Sequence, residues 1–327
     1  MRVAVLDDYH RIAHSLADWR SLGVELDFFD RPIAPARLPQ ALAGYDALVL
    51  MRERSAFPRA VLEQLPKLRL LVTTGMRNAA VDIEYLRARG VRVCGPGIPG
   101  YGTPPAAAHD PPGVASTVEV AWALILALCK RVAYEDRALR AGVWQQGLPS
   151  NLAGATLGLV GLGRLGAQMV APARAFGMEV IAWSQNLTVE RARQAGARQV
   201  ASKQELLAAA DVVSIHLVLS ERTRGLIGDA ELAQMKPTAL LVNTSRGPIV
   251  DEAALVRSLR AHEIAGAGLD VYDTEPLPAD HPLLQLENTV LTPHLGYVSR
   301  DGLAAMYGQV VEDLAAYLCG EPIRVLA

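Results

Sequence analysis

Three segments of this 327-residue chain carry side chains suited to acid–base work on a small anion. Val242-Asn243-Thr244-Ser245-Arg246-Gly247 sets an arginine just past a short apolar run. Gly268-Leu269-Asp270-Val271-Tyr272-Asp273-Thr274-Glu275-Pro276 and Leu291-Thr292-Pro293-His294-Leu295-Gly296-Tyr297 do the same for a glutamate and a histidine. Arg246 could grip a carboxylate through both guanidinium nitrogens and polarise the adjacent carbonyl. His294 could give or take a hydroxyl proton, and Glu275 in its company would favour the imidazolium form and keep an acid available near neutral pH. The chemistry such a trio suits is hydride transfer to or from a 2-keto or 2-hydroxy acid. Taken singly, His294 reads equally as a capping or core histidine, Arg246 as a surface ion pair, and Glu275 as an ordinary loop acid. Position links them. Each follows the carboxyl end of a predicted strand, where ligands collect in open α/β sheets.

A hydride needs a carrier, and the chain has a motif for one. In Thr156-Leu157-Gly158-Leu159-Val160-Gly161-Leu162-Gly163-Arg164-Leu165-Gly166 an apolar run leads directly into G-x-G-x-x-G, and a helix-forming run follows from Ala167 to Phe176. The strand–turn–helix context separates a dinucleotide loop from an ordinary glycine turn. Gly161 permits the tight turn, Gly163 lets a pyrophosphate approach the backbone, and Gly166 lets helix and strand pack closely. The helix N-terminus offers N–H groups to phosphate.

The elements that must position these residues come in two alternating series. Val3 to Leu6, Val24 to Phe28, Ala47 to Met51, Leu70 to Thr73 and Val91 to Cys94 read as strands, with helices at Ala34 to Ala43, Arg59 to Leu65 and Ile83 to Arg89. The second series has six expected strands, at 156–160, 178–183, 211–216, 239–243, 266–271 and 289–292. Its helices fall near 164–176, 189–195, 203–209, 229–235 and 251–260. Strands spaced by helical patterns predict parallel sheets with helices on both faces, an α/β doubly wound architecture. Between the series lies a Gly/Pro-rich stretch, 95–115, which reads as a loop and a boundary; its His109-Asp110 pair reads as solvated loop. A long apolar helix is expected from about Ser116 to Arg140, apolar on more than one face, and an amphipathic helix from Arg300 to Leu318.

Composition narrows the classes. Hydrophobic residues are 51% of the chain and the formal net charge is −2, with no Lys/Arg run to suggest nucleic acid or a membrane surface. The longest apolar run, Val120 to Cys129, is too short for a span, which takes about 20 residues. The N-terminus reads as a strand rather than a signal peptide. Cys94, Cys129 and Cys319 match no metal or disulfide spacing, so no metal is expected, and reduced thiols in a cytoplasm are.

In combination these motifs make the chain resemble the D-isomer-specific 2-hydroxyacid dehydrogenases, a family that includes phosphoglycerate dehydrogenases, glyoxylate/hydroxypyruvate reductases and D-lactate dehydrogenases. Asp211-Val-Val-Ser-Ile-His216, Thr223-Arg-Gly-Leu-Ile227, Met235-Lys236-Pro237 and Pro293-His294-Leu-Gly296 add to the likeness, which covers nearly the whole chain. The resemblance implies two Rossmann-like doubly wound domains, with a nucleotide domain (116–296) inserted into a flavodoxin-like substrate domain (1–100 plus 297–327), and an active site in the cleft between them. It implies an NAD- or NADP-dependent enzyme with Arg246, Glu275 and His294 as the catalytic trio. Asp270 would meet the nicotinamide carboxamide and Arg164 and Leu165 the pyrophosphate. His216, Thr244, Ser245 and Gly296 would line the cofactor. In the first series, Thr73-Thr74-Gly75-Met76-Arg77-Asn78 resembles the loop whose backbone N–H groups hold the substrate carboxylate, and Arg52 resembles a substrate-facing arginine, although on its own it reads also as a solvated loop charge. A homodimer is implied. The same fold also resembles dinucleotide-sensing transcriptional co-repressors, the rival reading.

Three features depart from the family pattern. Met76 and Arg77 stand where small residues are usual. The stretch from Ile98 to Ala115 is longer than usual. The acid expected at the end of the second nucleotide strand, to bond a ribose 2′-OH, is Ser184, 18 residues after Gly166, followed by Gln185 and Asn186. Loss of that acid removes the bar against NADP, yet no arginine is adjacent in sequence; Arg191 and Arg193 fall on the next helix.

Overall fold

A computed structural model describes residues 1–96 and 114–327; the expected 95–115 loop, with His109 and Asp110, lies almost wholly outside them. The chain forms two compact units, Met1–Gly113 with Ser299–Ala327, and Val114–Val298.

The first unit is built on β1 (Arg2–Val5), β2 (Glu25–Phe28), β3 (Ala47–Leu50), β4 (Leu70–Thr73) and β5 (Arg92–Cys94). All pairings are parallel, in the order β2-β1-β3-β4-β5, with Val3 opposite Ala47 and Leu48 opposite Leu71. This is the flavodoxin-like order, and its strand order reverses between β1 and β3. β3 and β4 are buried along their whole length, as apolar runs covered on both faces should be. Two short helical turns, Ala13–Leu16 and Trp19–Leu22, escape a reading by pattern because neither is long enough to show a helical period. The chain returns to this unit at Ser299, whose side chain accepts from Gly302 N and starts the helix Arg300–Leu318. Tyr307 on that helix packs edge-on to Trp19, and the Val93 carbonyl accepts from Leu326 N at 2.8 Å.

The second unit carries β6 (Thr156–Val160), β7 (Glu179–Trp183), β8 (Arg198–Gln199), β9 (Val212–Ile215), β10 (Leu240–Asn243), β11 (Gly266–Leu269) and β12 (Thr289–Leu291). The sheet is parallel, ordered β12-β11-β10-β9-β6-β7-β8. Counted from β6, this is the doubly wound 3-2-1-4-5-6 order with one strand added. Seven strands replace the six expected, because two-residue β8 is too short for periodicity to mark. Asp211 explains two of the motif residues: its carboxylate accepts from Thr156 N at 2.8 Å and pairs with Lys236 at 2.8 Å, tying the start of β6 to the approach to β10.

Two helices differ from expectation. The run 164–176 divides into Arg164–Gln168 and Val170–Ala175, because Pro172 has no N–H to return to Gln168. The helix expected to reach Arg140 stops at Cys129 and resumes at Val132, broken by Arg131 at φ +54°. The first part spends its apolar surface within its own unit, since Val118, Ala121, Trp122, Leu124 and Ile125 join the core with Leu157, Leu159 and Val242. The exposed apolar side chains lie further on, at Val132, Leu139, Val143, Trp144 and Leu148. Glu135 holds that arm by accepting from Gly147 N at 2.8 Å and Gln146 N at 3.2 Å.

Candidate active site

The glycine turn lies where the larger sheet reverses its strand order, between β6 and β9. Gly161 has φ +102°, and a Cβ there would stand 2.5 Å from the His216 carbonyl oxygen. At Gly166 a Cβ would collide with the Gly161 carbonyl, whereas at Gly163 it would meet open space. The three glycines therefore do different things: two permit close packing of the turn, and the middle one leaves its backbone bare. Arg164 and Leu165 follow at the first turn of the helix, both half-buried.

Two buried polar atoms at the ends of the adjacent strands β9 and β10 have no partner among the described residues, His216 Nδ1 and Thr244 Oγ1, and the His216 backbone lies against Gly161. Buried polar groups are normally satisfied, so a pair of orphans at neighbouring strand ends calls for a polar ligand. The arrangement fits a dinucleotide. His216 is otherwise held through Nε2 and the Ser214 hydroxyl at 2.9 Å, and burial pushes its ring down to about 4, so it is neutral in the working range. Ser245, expected to line the cofactor, donates its hydroxyl to the Ile215 carbonyl at 2.7 Å.

Arg246 leaves β10 through a built turn. Asn243, 1% exposed, donates to the Arg246 carbonyl at 2.9 Å and accepts from Ser245 N at 3.0 Å. Gly247 then passes so near Tyr272 that a Cβ would collide with that residue's carbonyl carbon and oxygen. The same Tyr272 donates its amide to Glu275 Oε1 at 2.9 Å. The other Glu275 oxygen, Oε2, lies 2.6 Å from His294 Nδ1. Burial pushes the Glu275 carboxyl up, but His294, the Tyr272 amide and the charge of Arg246 outweigh it and hold it below its ordinary value. The structure thus brings together Arg246, Glu275 and His294, three residues spread over 49 positions in sequence.

His294 sits in a tight turn at φ +54°, and Asp270 makes that turn. One Asp270 oxygen accepts from the Thr292 hydroxyl at 2.6 Å and Leu295 N at 2.7 Å; the other accepts from Gly296 N at 2.7 Å. Burial pushes its carboxyl up, against the pull of those donors and of His294. Gly296 is enclosed behind the turn, its carbonyl accepting from Thr117 Oγ1 at 2.6 Å. Asp270 and Gly296 therefore face the histidine turn, a role their motif alone does not disclose.

In the first unit Arg52 and the 73–78 loop hold one another. Arg52 N donates to Thr74 Oγ1 at 2.8 Å and Arg52 Nη1 to the Thr74 carbonyl at 3.3 Å. Asn78 donates to the Arg52 carbonyl at 2.7 Å. A Cβ at Gly75 would lie 2.7 Å from Arg52 Nη1, so the glycine admits the guanidinium. Met76 and Arg77 are exposed. Sequence reading missed the support below them: Asp7, 2% exposed, accepts from Tyr9 Oη and Ser55 Oγ, each at 2.9 Å. It missed Arg222 as well, which is far from Ser184 in sequence yet brings Nη1 to 3.4 Å from Gln185 Oε1. No arginine is adjacent to Ser184 in sequence, but the fold brings this one to the end of β7.

Among the described residues no group of His, Cys, Asp and Glu is placed to hold a metal, and no helix is long and apolar enough to cross a membrane.

Residues 122–296 match the model of the D-isomer specific 2-hydroxyacid dehydrogenase NAD-binding domain. The chain is 35% identical to a glyoxylate reductase of Korarchaeum cryptofilum over 91% of this chain and 87% of that protein. It is 37% identical to a D-3-phosphoglycerate dehydrogenase of Mycobacterium leprae, over 91% of this chain and 54% of the longer relative. A phosphoglycerate oxidoreductase of Vibrio cholerae superposes with a TM-score of 0.88 at 33% identity, over 98% of this chain and 99% of that one. Nothing in these likenesses supports the co-repressor reading. With the strand order, the glycine turn and the His294–Glu275 pair, they establish that the chain belongs to the D-isomer-specific 2-hydroxyacid dehydrogenase family and is an NAD(P)-dependent oxidoreductase of small hydroxy and keto acids.

Proposed function

We propose that the chain reduces a short 2-keto acid to the D-2-hydroxy acid, of the glyoxylate, hydroxypyruvate or 3-phosphoglycerate type that its relatives' names carry, with Arg246, Glu275 and His294 as the catalytic residues. The observation that carries this reading is the His294–Glu275 pair at 2.6 Å, held on a turn stapled by Asp270. A bound nicotinamide dinucleotide supplies the hydride. Gly161, Gly163, Arg164, Leu165 and Gly166 would hold its pyrophosphate, with His216, Thr244 and Ser245 lining the site and Ser184 and Gln185 near the ribose. Arg246 grips the substrate carboxylate and polarises the carbonyl as negative charge grows on its oxygen. His294 gives its proton to that oxygen, and Glu275 balances the imidazolium charge and fixes the ring through Nδ1, leaving Nε2 for substrate. Arg52, Gly75, Met76 and Arg77 are proposed to receive the carboxylate end of the substrate.

His294→Ala tests the reading. It should lower kcat by roughly 10²–10⁴-fold while dinucleotide still binds. Retention of more than about a tenth of wild-type kcat removes His294 from proton transfer. Glyoxylate, hydroxypyruvate, phosphohydroxypyruvate and an aryl pyruvate, each assayed with both reduced cofactors, fix the substrate.

Two further parts of the reading concern the setting. A homodimer is proposed through the arm that follows Arg131, where Trp144 is 74% and Leu148 96% exposed. Large apolar side chains clustered on one segment mark interaction surfaces, and a two-fold pairing of like chains is the commonest solution. A cytoplasmic setting is proposed from the free cysteines: burial raises the Cys94 thiol to about 11, which leaves it inert.

A further inference from the structure

The dehydrogenase reading leaves the choice of dinucleotide open. Resting on that reading, we propose that Arg222, together with Ser184 and Gln185, forms a receptor for a ribose 2′-phosphate, so that this enzyme takes NADPH in preference to NADH.

Two independent observations meet at one place. The first is chemical. Gly161 N donates to the Trp183 carbonyl at 2.8 Å, which fixes the end of β7 beside the glycine turn. The residues that follow there are Ser184, Gln185 and Asn186, with a hydroxyl and two amides and no carboxylate. An acid at this position bonds the 2′-OH and repels a 2′-phosphate; here that repulsion is absent. The second observation is geometric. β9 and β7 flank β6, so the loops after them border the glycine turn from opposite sides. The loop after β9 is shaped by Thr223, whose hydroxyl accepts from Ser220 N and donates to the Val218 carbonyl, both at 2.8 Å. The turn so formed presents Arg222, whose Nη1 comes within 3.4 Å of Gln185 Oε1 and bridges the two loops.

Arg222 is poorly occupied by its neighbours. Among the described residues it pairs with no carboxylate, and its one hydrogen bond is a long one to a neutral amide. Glu190, on the helix after β7, is engaged by Arg193 at 3.1 Å and Gln194 at 2.8 Å. Glu221, beside Arg222 in sequence, is exposed. A guanidinium carries five donors in a planar fork that matches phosphate geometry, so a dianion between these loops would satisfy it far better than Gln185 does. Ser184 and the Gln185 amide would supply neutral donors, and the guanidinium plane would lie free to stack on an adenine.

The test is equilibrium binding, independent of turnover. NADPH and NADH are titrated by fluorescence, and 2′,5′-ADP and 5′-AMP by calorimetry, against wild type, Arg222→Gln and Ser184→Asp. Wild type should bind NADPH and 2′,5′-ADP at least about ten-fold more tightly than NADH and 5′-AMP, the size expected of one charged hydrogen bond. The margin should narrow as salt is raised, because the pairing is exposed. Arg222→Gln should lose about ten-fold for the phosphorylated pair and stay within about two-fold for the others. Ser184→Asp should reverse the preference. The proposal is overturned if wild type favours NADH, if Arg222→Gln weakens both pairs alike, or if it changes neither. Either of the last two results would leave Arg222 a surface or structural residue. Failure of every nucleotide to bind would instead bring down the dehydrogenase reading itself, and this inference with it.

Discussion

At the scale of single residues, the site depends on a carboxylate that is wholly buried. Asp270 spends both oxygens on the 292–296 turn, and the turn aims His294 at φ +54°, a backbone region that costs a non-glycine residue of order 1–3 kcal/mol. Among the described residues, Leu295 N and Gly296 N have Asp270 alone as their acceptor. An asparagine keeps the shape but turns one acceptor into an NH₂ donor facing an N–H donor. Asp270→Asn should therefore lower stability by about 1–3 kcal/mol in urea unfolding and lower kcat far more than it raises KM. Restoration by no other residue is expected, since Glu would overfill a side chain site with no exposure. Unchanged kcat would mean that the histidine turn holds itself. The sequence showed Asp270 as a motif member and could not show this use, because a carboxylate that staples a turn and one that meets a ligand look alike until the backbone amides around it are placed.

At the scale of elements, glycine spacing sets how near two strand ends approach. Gly247 passes against Tyr272, and Tyr272 N holds Glu275, so the contact sets the distance between the arginine segment and the glutamate segment. Gly247→Ala should cost about 1–3 kcal/mol of stability, as overpacking does, and lower kcat/KM, because the two segments must part. A fully active alanine variant would show that their spacing is unimportant. The helix Arg300–Leu318 carries a different constraint. Asp313 on it is fully buried, one oxygen 3.0 Å from Arg324 Nε and the other without a partner among the described residues. Burial raises its carboxyl to about 7, against the pull of Arg324. An acid whose pKa is raised by folding binds its proton more tightly in the folded chain than in the unfolded one. Stability from that proton is full below the unfolded value near 4 and is lost as pH climbs to about 7. The melting temperature of wild type should therefore fall relative to that of Asp313→Asn between pH 4.5 and 8; parallel curves would refute it. The longer strands were legible, because buried parallel strands are apolar runs. The two-residue β8 and the break at Arg131 were not, because one is shorter than any period and the other is a single dihedral angle.

At the scale of the whole chain, the convergence of Arg246, Glu275 and His294 was legible because residues that end different strands of one parallel sheet meet at its carboxyl edge. Arg222 was not, because a loop side chain reaching across strand β6 leaves no mark in spacing. The surface that would pair two copies was not legible for a third reason. Apolarity on several faces of the helix after Ser116 predicts burial, but not whether the chain itself or another copy does the burying. The structure assigns those faces to the unit's own core and leaves Val132, Leu139, Val143, Trp144 and Leu148 outside. The arm bearing them is not a loose tail, since Glu135 caps its Gln146 and Gly147 amides and Lys130 donates to the Ser150 carbonyl at 2.7 Å. A held segment that shows water a tryptophan and several aliphatic side chains gains by covering them, at about 25 cal/mol for each Å² buried. Trp144→Ala combined with Leu148→Asp should therefore shift the particle from two chains to one in light scattering behind gel filtration, with the far-UV circular dichroism retained. A wild-type chain that scatters as a monomer at every concentration, or a double variant that remains a dimer, would remove this arm as the interface.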